Sequence, residues 1–402
     1  MNSNFLKLIN IGNLLTYNSK KKSMVCEGGL EIIINNGNII EIGKNLKHTG
    51  KVYDCENSLV TPGFVDCHTH PVFFNDRSNE FEMRVGGNTY EQIAASGGGI
   101  NNSVKSLRDS DYDELKQKVI RRMDNFLKLG TTTVEAKSGY GLDLNSELKS
   151  LAILGEINSE HKIDIIPTFM GAHAVPEEYK SKSDDYVDHL CEVIIPAVAK
   201  QGVAKYNDVF CEVGYFDINQ SKKILSTGLE YGLLARIHTD EFENIGGAQL
   251  ASALKCISAD HLMYVNDNDI LKMVNSNVKA VLLPGTTFFL GEHKYAPYHK
   301  LKDSGLEIAI ATDYNPGSCN IQSMTFIIAL SLIYMGFDIN DAIYSSTYMP
   351  SKILNIHHRT GSIEKGKNAD IIIWDLKKPI DIPYNFSNYS IKTVIKSGKI
   401  LF

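Results

Sequence analysis

The chain has 402 residues, of which 43% are hydrophobic and 22% are charged, and this is the composition of an ordinary globular protein. Such a length exceeds one ordinary core and predicts two domains, or one large barrel with an appendage. The formal net charge of −6 gives no electrostatic basis for nucleic-acid binding, because phosphate-binding proteins are normally basic. With no polybasic run in the sequence, a role at a membrane surface also lacks support.

The distribution of cysteines and apolar stretches predicts a cytoplasmic location. The seven cysteines are scattered and never form a CxxC pair, which indicates reduced thiols. The apolar stretch at residues 6–15 is interrupted by Lys7, Asn10 and Asn13 and makes a poor signal peptide. Residues 324–337 match the length of a buried helix and fall short of the ~20 residues that a membrane span requires.

Both ends of the chain are rich in predicted strands. Residues 31–35 and 39–43 flank the pair Asn36-Gly37, which is typical of a tight hairpin turn. The tail contains an apolar run at 370–374 and two further runs around Ser397-Gly398. We therefore expect the two termini to meet in one small β domain.

The middle of the chain alternates short apolar runs with helix-like segments. This alternation predicts a parallel sheet, and eight units over roughly 250–300 residues have the size of a (β/α)₈ barrel. An open doubly wound sheet is the rival fold, but no GxGxxG motif or P-loop follows any run. The predicted strands are residues 63–66, 131–136, 164–169, 208–213, 233–237, 256–259, 279–283 and 307–311.

Histidines and an aspartate fall at the ends of four predicted strands, where barrel enzymes carry their catalytic groups. His68 and His70 point the same way because strand side chains alternate, and they form a potential metal chelate. We expect His68, His70 and His238 to supply nitrogen and Asp313 to supply oxygen to one divalent ion. A bound ion lowers the pKa of water from about 16 towards about 7. Zinc suits this set, while iron and manganese stay open on ligand type alone.

At these residues the sequence resembles a known group of enzymes. Residues 61–70, TPGFVDCHTH, resemble the first-strand motif of the amidohydrolase superfamily, and His238, His261 and Asp313 match its later strand ends. Within that superfamily, seven segments in order resemble the imidazolonepropionase family. They are SGGGI (96–100), GTTTVEAKSGYGL (130–142), TFMGAHAVP (168–176), HTDE (238–241), SADHL (258–262), LLPGTTFFLG (282–291) and ATDYNPGS (311–318).

The resemblance implies a fold and an activity. It implies a metal-dependent hydrolase barrel at residues 62–359 and a composite β-sandwich domain at 1–61 and 360–402. It also implies hydrolysis of the cyclic amide 4-imidazolone-5-propanoate to N-formimino-L-glutamate, the third step of histidine degradation, with one Zn²⁺ or Fe ion. Superfamily habit implies a homodimer, with a small molecule as the substrate.

The resemblance further implies roles for individual residues. Glu241 is expected to move a proton at a ring nitrogen, and His261 and Asp313 to orient water and pass its proton to the leaving nitrogen; which of the two is the general base stays open. The expected substrate contacts are Arg77 at the propanoate, and Tyr140, His173, Glu241, Asn315, Gly317 and Ser318. Cys67, Thr239 and Ser318 depart from residues common in the family without removing a ligand or a charge. Lys137 is expected to be structural, and the glycine run at 96–99 is equally consistent with a lid or a plain turn.

Two alternatives remain. A purine or pyrimidine ring deaminase shares the HxH motif, the His-x-x-Glu spacing of His238 and Glu241, and the later His and Asp. Arg77, residues 137–141 and residues 171–173 favour the imidazolone reaction. A catalytically inactive scaffold of the same fold is the other alternative, and the intact set of four ligands argues against it.

Overall fold

The computed structural model describes residues 5–47, 50–88, 92 and 98–402. Ser96 and Gly97 of the glycine run therefore lie outside the described residues. The strands are β1 Phe5–Asn18, β2 Ser23–Glu27, β3 Glu31–Asn35, β4 Asn38–Gly43, β5 Lys51–Pro62, β6 Phe64–Asp66, β7 Thr131–Lys137, β8 Asp164–Ala172, β9 Tyr206–Cys211, β10 Leu234–Thr239, β11 Ser258–His261, β12 Lys279–Leu282, β13 Ile308–Ile310, β14 Ile371–Trp374, β15 Ile391–Lys396 and β16 Lys399–Ile400.

Most helices follow the strands of the central part of the chain. The α-helices span Ser78–Val85, Ile100–Arg108, Tyr112–Lys128, Leu144–Glu160, Ser183–His189, Ile195–Gln201, Ile218–Glu230, Gly247–Leu254, Asp267–Ser276, Pro284–Leu290, Tyr298–Asp303, Met324–Met335, Ile339–Ser346, Tyr348–Ile353 and Asp381–Tyr384. A 3₁₀ turn lies at Glu177–Tyr179 and a π turn at Leu190–Ile194. None of the described helices combines the length and the apolar character needed to cross a bilayer.

The two ends of the chain form one mixed sheet, which confirms the predicted joint β domain. Its order is β16-β15-β14-β5-β1-β3-β4, with β2 on β1. Strand β5 pairs antiparallel with β14, so that residues 60–62 lie beside residues 371–373. The hairpin of β3 and β4 turns at Asn36 and Gly37, whose φ values of 47° and 85° both lie in the left-handed region that this turn requires.

The middle of the chain forms the predicted barrel. Strands β6 to β13 lie side by side in chain order, each parallel to its neighbours, and each overlaps one of the eight predicted runs. The first and last strands meet just beyond their ends. There the Asp313 amide donates to the His68 carbonyl (3.0 Å), and the His70 amide donates to the Tyr314 carbonyl (2.8 Å). This closure holds residues 68–70 against residues 313–314.

The barrel and the terminal sheet also contact each other through an ion pair between a buried lysine and a partly exposed aspartate. Lys396 of β15 lies 3.0 Å from Asp164 of β8 and 2.9 Å from Asp370. The division between the domains after residue 61 and before residue 360 stays a proposal.

The apolar helix Met324–Met335 buries seven of its residues, as its composition predicts.

Candidate active site

The side chains of four predicted ligands converge at the carboxyl end of the barrel. His68 and His70 follow β6, His238 lies near the end of β10, and Asp313 follows β13. The Nε2 atoms of His68 and His238 each lie 3.3 Å from His70 Nε2. Asp313 Oδ1 lies 3.4 Å from the Nε2 atoms of both His68 and His70. All four side chains are buried.

Hydrogen bonds on the far side of two imidazoles fix how this cluster is protonated. His68 Nδ1 lies 2.7 Å from Asp260 Oδ2, and His238 Nδ1 lies 3.0 Å from Asp208 Oδ1. Each carboxylate requires a proton on Nδ1, so each Nε2 presents a lone pair to the cluster. His70 Nε2 lies 3.3 Å from each of these two atoms, and a cation among the three nitrogens would satisfy both lone pairs. The residues present therefore fit a divalent metal ion.

Two sets of possible metal ligands overlap at His68. Donor atoms of His68, His70 and Asp313 lie within 4.8 Å of one another, and so do those of His68, His238 and His261. The other oxygen of Asp313, Oδ2, accepts a hydrogen bond from the Thr286 hydroxyl, which leaves Oδ1 to face the imidazoles. The cluster could hold a metal ion through either group, with His68 shared between them.

A layer of charged side chains lies directly beneath the cluster. It contains three carboxylates and two cations with no solvent exposure, namely Glu135, Asp208, Asp260, Lys137 and Arg236. Lys137 Nζ lies 2.8 Å from Glu135 and 2.9 Å from Asp208, while Arg236 Nη2 lies 2.8 Å from Asp260. Because each buried charge requires an opposite charge beside it, removal of any one of these side chains would leave another charge buried without a partner.

The pKa of Lys137 shows how the layer acts. Burial and the neighbouring Arg236 lower this pKa, but Asp208 and Glu135 outweigh them and raise it above the ordinary value. Lys137 is therefore an ammonium ion that pairs with carboxylates, in agreement with a structural role. Burial also raises the pKa of Asp260, but Arg236 and His68 outweigh it and hold that pKa below its usual range.

Glu241 and His261 form a pair beside the metal cluster. Glu241 Oε2 lies 3.4 Å from His261 Nε2, and both side chains are buried. Burial raises the pKa of Glu241 well above its usual value, with Asp313 and Glu212 adding like charge. Burial lowers the pKa of His261 well below its usual value, although Asp313 opposes this shift. The pair thus combines a carboxyl that retains its proton with a neutral imidazole.

The turn after Asp313 is organised by Asn315 and packs against Arg77. The Asn315 side-chain oxygen accepts from the amides of Gly317 (2.9 Å) and Ser318 (2.7 Å), and its amide group donates to Asp313 O and Ser318 Oγ. A Cβ added at Gly317 would lie 1.1 Å from Arg77 Nη2. The absent side chain therefore makes the space for the guanidinium, while Asn315 shapes the turn. The substrate contacts expected of Asn315 and Ser318 stay predictions.

His173 and Tyr140 flank the same cluster. The His173 ring stacks on His70, with centroids 5.1 Å apart and an interplanar angle of 26°, and Tyr140 meets His173 edge-on at 5.1 Å. His173 Nδ1 lies 2.9 Å from the Gly139 carbonyl, so Nδ1 carries the proton and Nε2 is an acceptor. Burial lowers the pKa of His173 well below its usual value and keeps it neutral.

No motif in the sequence predicted the residues that lie beneath and behind the ligands. Glu135, Asp208, Arg236 and Asp260 are charged residues inside runs that otherwise read as buried strands. One signal was available, because a residue two positions before a ligand on a strand shares its face. Arg236 precedes His238 in this way. No comparable sequence pattern points to Thr286 or to Glu212.

The fold and the site define a barrel hydrolase of the amidohydrolase type, and the comparisons agree. Residues 233–401 match the amidohydrolase family. The imidazolonepropionase of Brevibacillus brevis is 44% identical over 88% of this chain and 83% of its own length. That of Clostridium tetani is 41% identical over 92% and 90%, and that of Bacillus mycoides is 37% identical over 98% and 96%. The chain belongs to the imidazolonepropionase family.

Solved structures share the fold at low sequence identity. An adenosine deaminase from Xanthomonas campestris with bound zinc superposes with a TM-score of 0.73 at 15% identity, covering 98% of this chain and 92% of that one. A guanine deaminase from C. acetobutylicum with bound guanine also gives a TM-score of 0.73, at 16% identity, covering 99% of this chain and 100% of that one. At this level of identity the likeness concerns the fold alone.

Proposed function

We propose that this chain hydrolyses the ring amide of 4-imidazolone-5-propanoate to N-formimino-L-glutamate, in histidine degradation. The observation that carries the proposal is the identity of 41–44% to imidazolonepropionases along nearly the whole chain. The convergence of the four predicted ligands beside the Glu241–His261 pair supports it independently. The substrate is therefore taken to be a small molecule that enters the carboxyl end of the barrel.

We propose that one divalent ion, Zn²⁺ or Fe, binds His68, His70, His238 and Asp313. Tetrahedral donors at about 2.0–2.1 Å from zinc are separated by about 3.3–3.4 Å, and four of the six separations between the donor atoms here are 3.3 or 3.4 Å. Iron is retained as an alternative because imidazole and carboxylate bind both metals. When bound, the ion supplies polarisation of the ring carbonyl and a water of lowered pKa.

The chain's own groups would move the protons. One water is consumed: its oxygen bonds to the carbonyl carbon, the adjacent carbon–nitrogen bond breaks, and a proton passes to the leaving nitrogen. His261 is neutral and buried, so it can accept a proton from the attacking water. Glu241 retains its proton and can donate it at the ring nitrogen, after which His261, 3.4 Å away, can restore it. Asp313 is held as a carboxylate by His68 and His70, although burial alone would raise its pKa, and it can accept a hydrogen bond from the same water.

We propose that Arg77 binds the propanoate group. A guanidinium matches a carboxylate through two parallel hydrogen bonds, and the turn at Gly317 leaves room for it. His173 presents an unprotonated Nε2 that can accept from a ring N–H, and Tyr140 lies at its edge. Asn315 and Ser318 would act at the same end of the substrate, chiefly by holding the turn.

The test is turnover of 4-imidazolone-5-propanoate, followed by loss of its ultraviolet absorbance, with cytosine, guanine and adenosine as comparison substrates. The proposal predicts consumption of the imidazolone alone. Ammonia release from one of the bases without imidazolone turnover would instead establish a ring deaminase. A homodimer and a cytoplasmic location complete the proposal, and sedimentation and cell fractionation test them.

A further inference from the structure

Glu212 is a buried carboxylate that the proposed chemistry does not use. It follows β9 directly, and its side chain is 1% exposed. Its backbone is fixed by two hydrogen bonds, from its amide to Phe216 O (3.2 Å) and from the Tyr215 amide to its carbonyl (3.0 Å). Within the part of the chain that the structure describes, no lysine or arginine pairs with it. A charge buried in this way requires other compensation.

Four backbone amides supply that compensation. Oε2 accepts from the amides of Glu241 (2.8 Å) and Phe242 (3.1 Å). Oε1 accepts from the amides of Val213 (2.9 Å) and Glu243 (3.2 Å). Three of the four donors are consecutive, and successive amides that converge on one anion form a backbone nest. The carboxylate thus holds the loop at residues 241–243 by its main chain.

The loop needs such support because the residue immediately before it is strained. Asp240 has a φ of 56°, in the left-handed region that a non-glycine residue seldom adopts. This sharp turn ends β10 after His238 and directs the following amides towards Glu212. Strain of this kind persists only where surrounding contacts determine it. The bonds to Glu212 bind the main chain of the next three residues.

We propose that Glu212 is a positioning residue that fixes the Glu241 side chain opposite His261 by binding the main chain of its loop. The inference rests on the proposed role of Glu241 in proton transfer. A second carboxylate offers a matched comparison: Glu147 accepts from the amides of Gly139 (3.2 Å), Gly141 (2.9 Å) and Leu142 (2.9 Å), and so holds the loop of Tyr140 instead.

A double-mutant cycle tests the proposal. Glu212→Gln keeps the shape but places an amide group against two backbone donors, and misplacement of Glu241 is expected to lower kcat about 10- to 100-fold while KM changes less than about 3-fold. In a Glu241→Gln background the same change is expected to alter kcat by less than about 2-fold, because the group through which it acts is already lost. The fold-decrease in kcat caused by Glu147→Gln is expected to multiply with the fold-decrease caused by Glu241→Gln, because the two residues act independently. Metal content, measured in parallel, stays at the wild-type value in all variants.

Multiplicative effects of Glu212→Gln and Glu241→Gln would overturn the inference, and so would an unchanged kcat in Glu212→Gln. If that variant fails to fold, Glu212→Asp replaces it in the cycle, because it keeps the charge and withdraws the carboxylate by one methylene. The decrease in kcat that Glu212→Asp causes should likewise be absent in the Glu241→Gln background. Failure of the wild-type protein to consume 4-imidazolone-5-propanoate would overturn the proposed function instead, so the two failures are distinguishable.

Discussion

Lys137 and His238 bind opposite oxygens of one buried carboxylate. Lys137 Nζ lies 2.9 Å from Asp208 Oδ2, and His238 Nδ1 lies 3.0 Å from Asp208 Oδ1. The ammonium ion therefore fixes the carboxylate, the carboxylate fixes the tautomer of the imidazole, and Nε2 is left to face the metal cluster. Groups that orient a ligand in this way commonly change metal affinity about 10- to 100-fold when they are removed.

Lys137→Met should therefore weaken metal binding about 10- to 100-fold and destabilise the fold by about 3–5 kcal/mol, because it leaves Asp208 and Glu135 buried without their cation. Metal titration and denaturant unfolding measure the two effects. Lys396→Met is the matched control, since Lys396 is also buried between two carboxylates, Asp370 and Asp164. It should lose stability but keep the metal. Unchanged metal affinity in Lys137→Met would refute this assignment.

Gly317→Ala should raise KM about 10- to 100-fold with little loss of stability. The new Cβ would occupy the position of the Arg77 guanidinium, which lies at the end of a flexible side chain and can move away. The substrate carboxylate then loses its charge-assisted partner. Steady-state kinetics of Gly317→Ala, Arg77→Met and the double variant check the argument. Equal KM values in all three are expected, whereas additive increases would mean that Gly317 acts by another route.

Glu241→Gln should lower kcat about 10²- to 10⁴-fold, the range typical of a lost proton-transfer group. The variant should bind metal normally, because Glu241 lies outside the four proposed ligands. Its melting temperature should equal or exceed that of the wild type, since the change removes a carboxyl whose charged form is disfavoured by burial. A variant with wild-type kcat would remove Glu241 from the mechanism.

Metal retention should fall as the pH falls, and His68 should set where this begins. Burial and Lys137 lower the pKa of His68, but Asp260 and Asp313 outweigh them and raise it above its ordinary value. Burial lowers the pKa of His70 to about 4. Because a protonated imidazole cannot bind a metal ion, competition begins as the pH falls through the raised pKa of His68. Metal titrations across pH 4–8 measure the apparent affinity. An affinity that does not fall as the pH is lowered across this range would contradict the assignment.

Much of the fold could be predicted because short sequence patterns specify its turns and strands. Asn36-Gly37 determined a hairpin, and short apolar runs separated by helical segments determined eight parallel strands. The ligands were also accessible, since alternation placed His68 and His70 on one face and barrel strands end at a common mouth.

The rest of the site depended on contacts between strands that are distant in sequence. Asp260 supports His68 from 192 positions away, and Glu212 holds a loop that begins 29 positions later. Nothing local distinguishes these carboxylates from surface acids. The strained turn at Asp240 was equally hidden, because a left-handed aspartate has no pattern of its own.

We propose that three imidazoles and one carboxylate bind a single divalent ion on which ring hydrolysis depends. The most direct measurement is metal analysis of the purified chain combined with turnover of 4-imidazolone-5-propanoate before and after chelation. We predict one divalent ion per chain, loss of turnover when it is removed, and recovery when it is restored. Undiminished hydrolysis by the metal-free protein would contradict the claim.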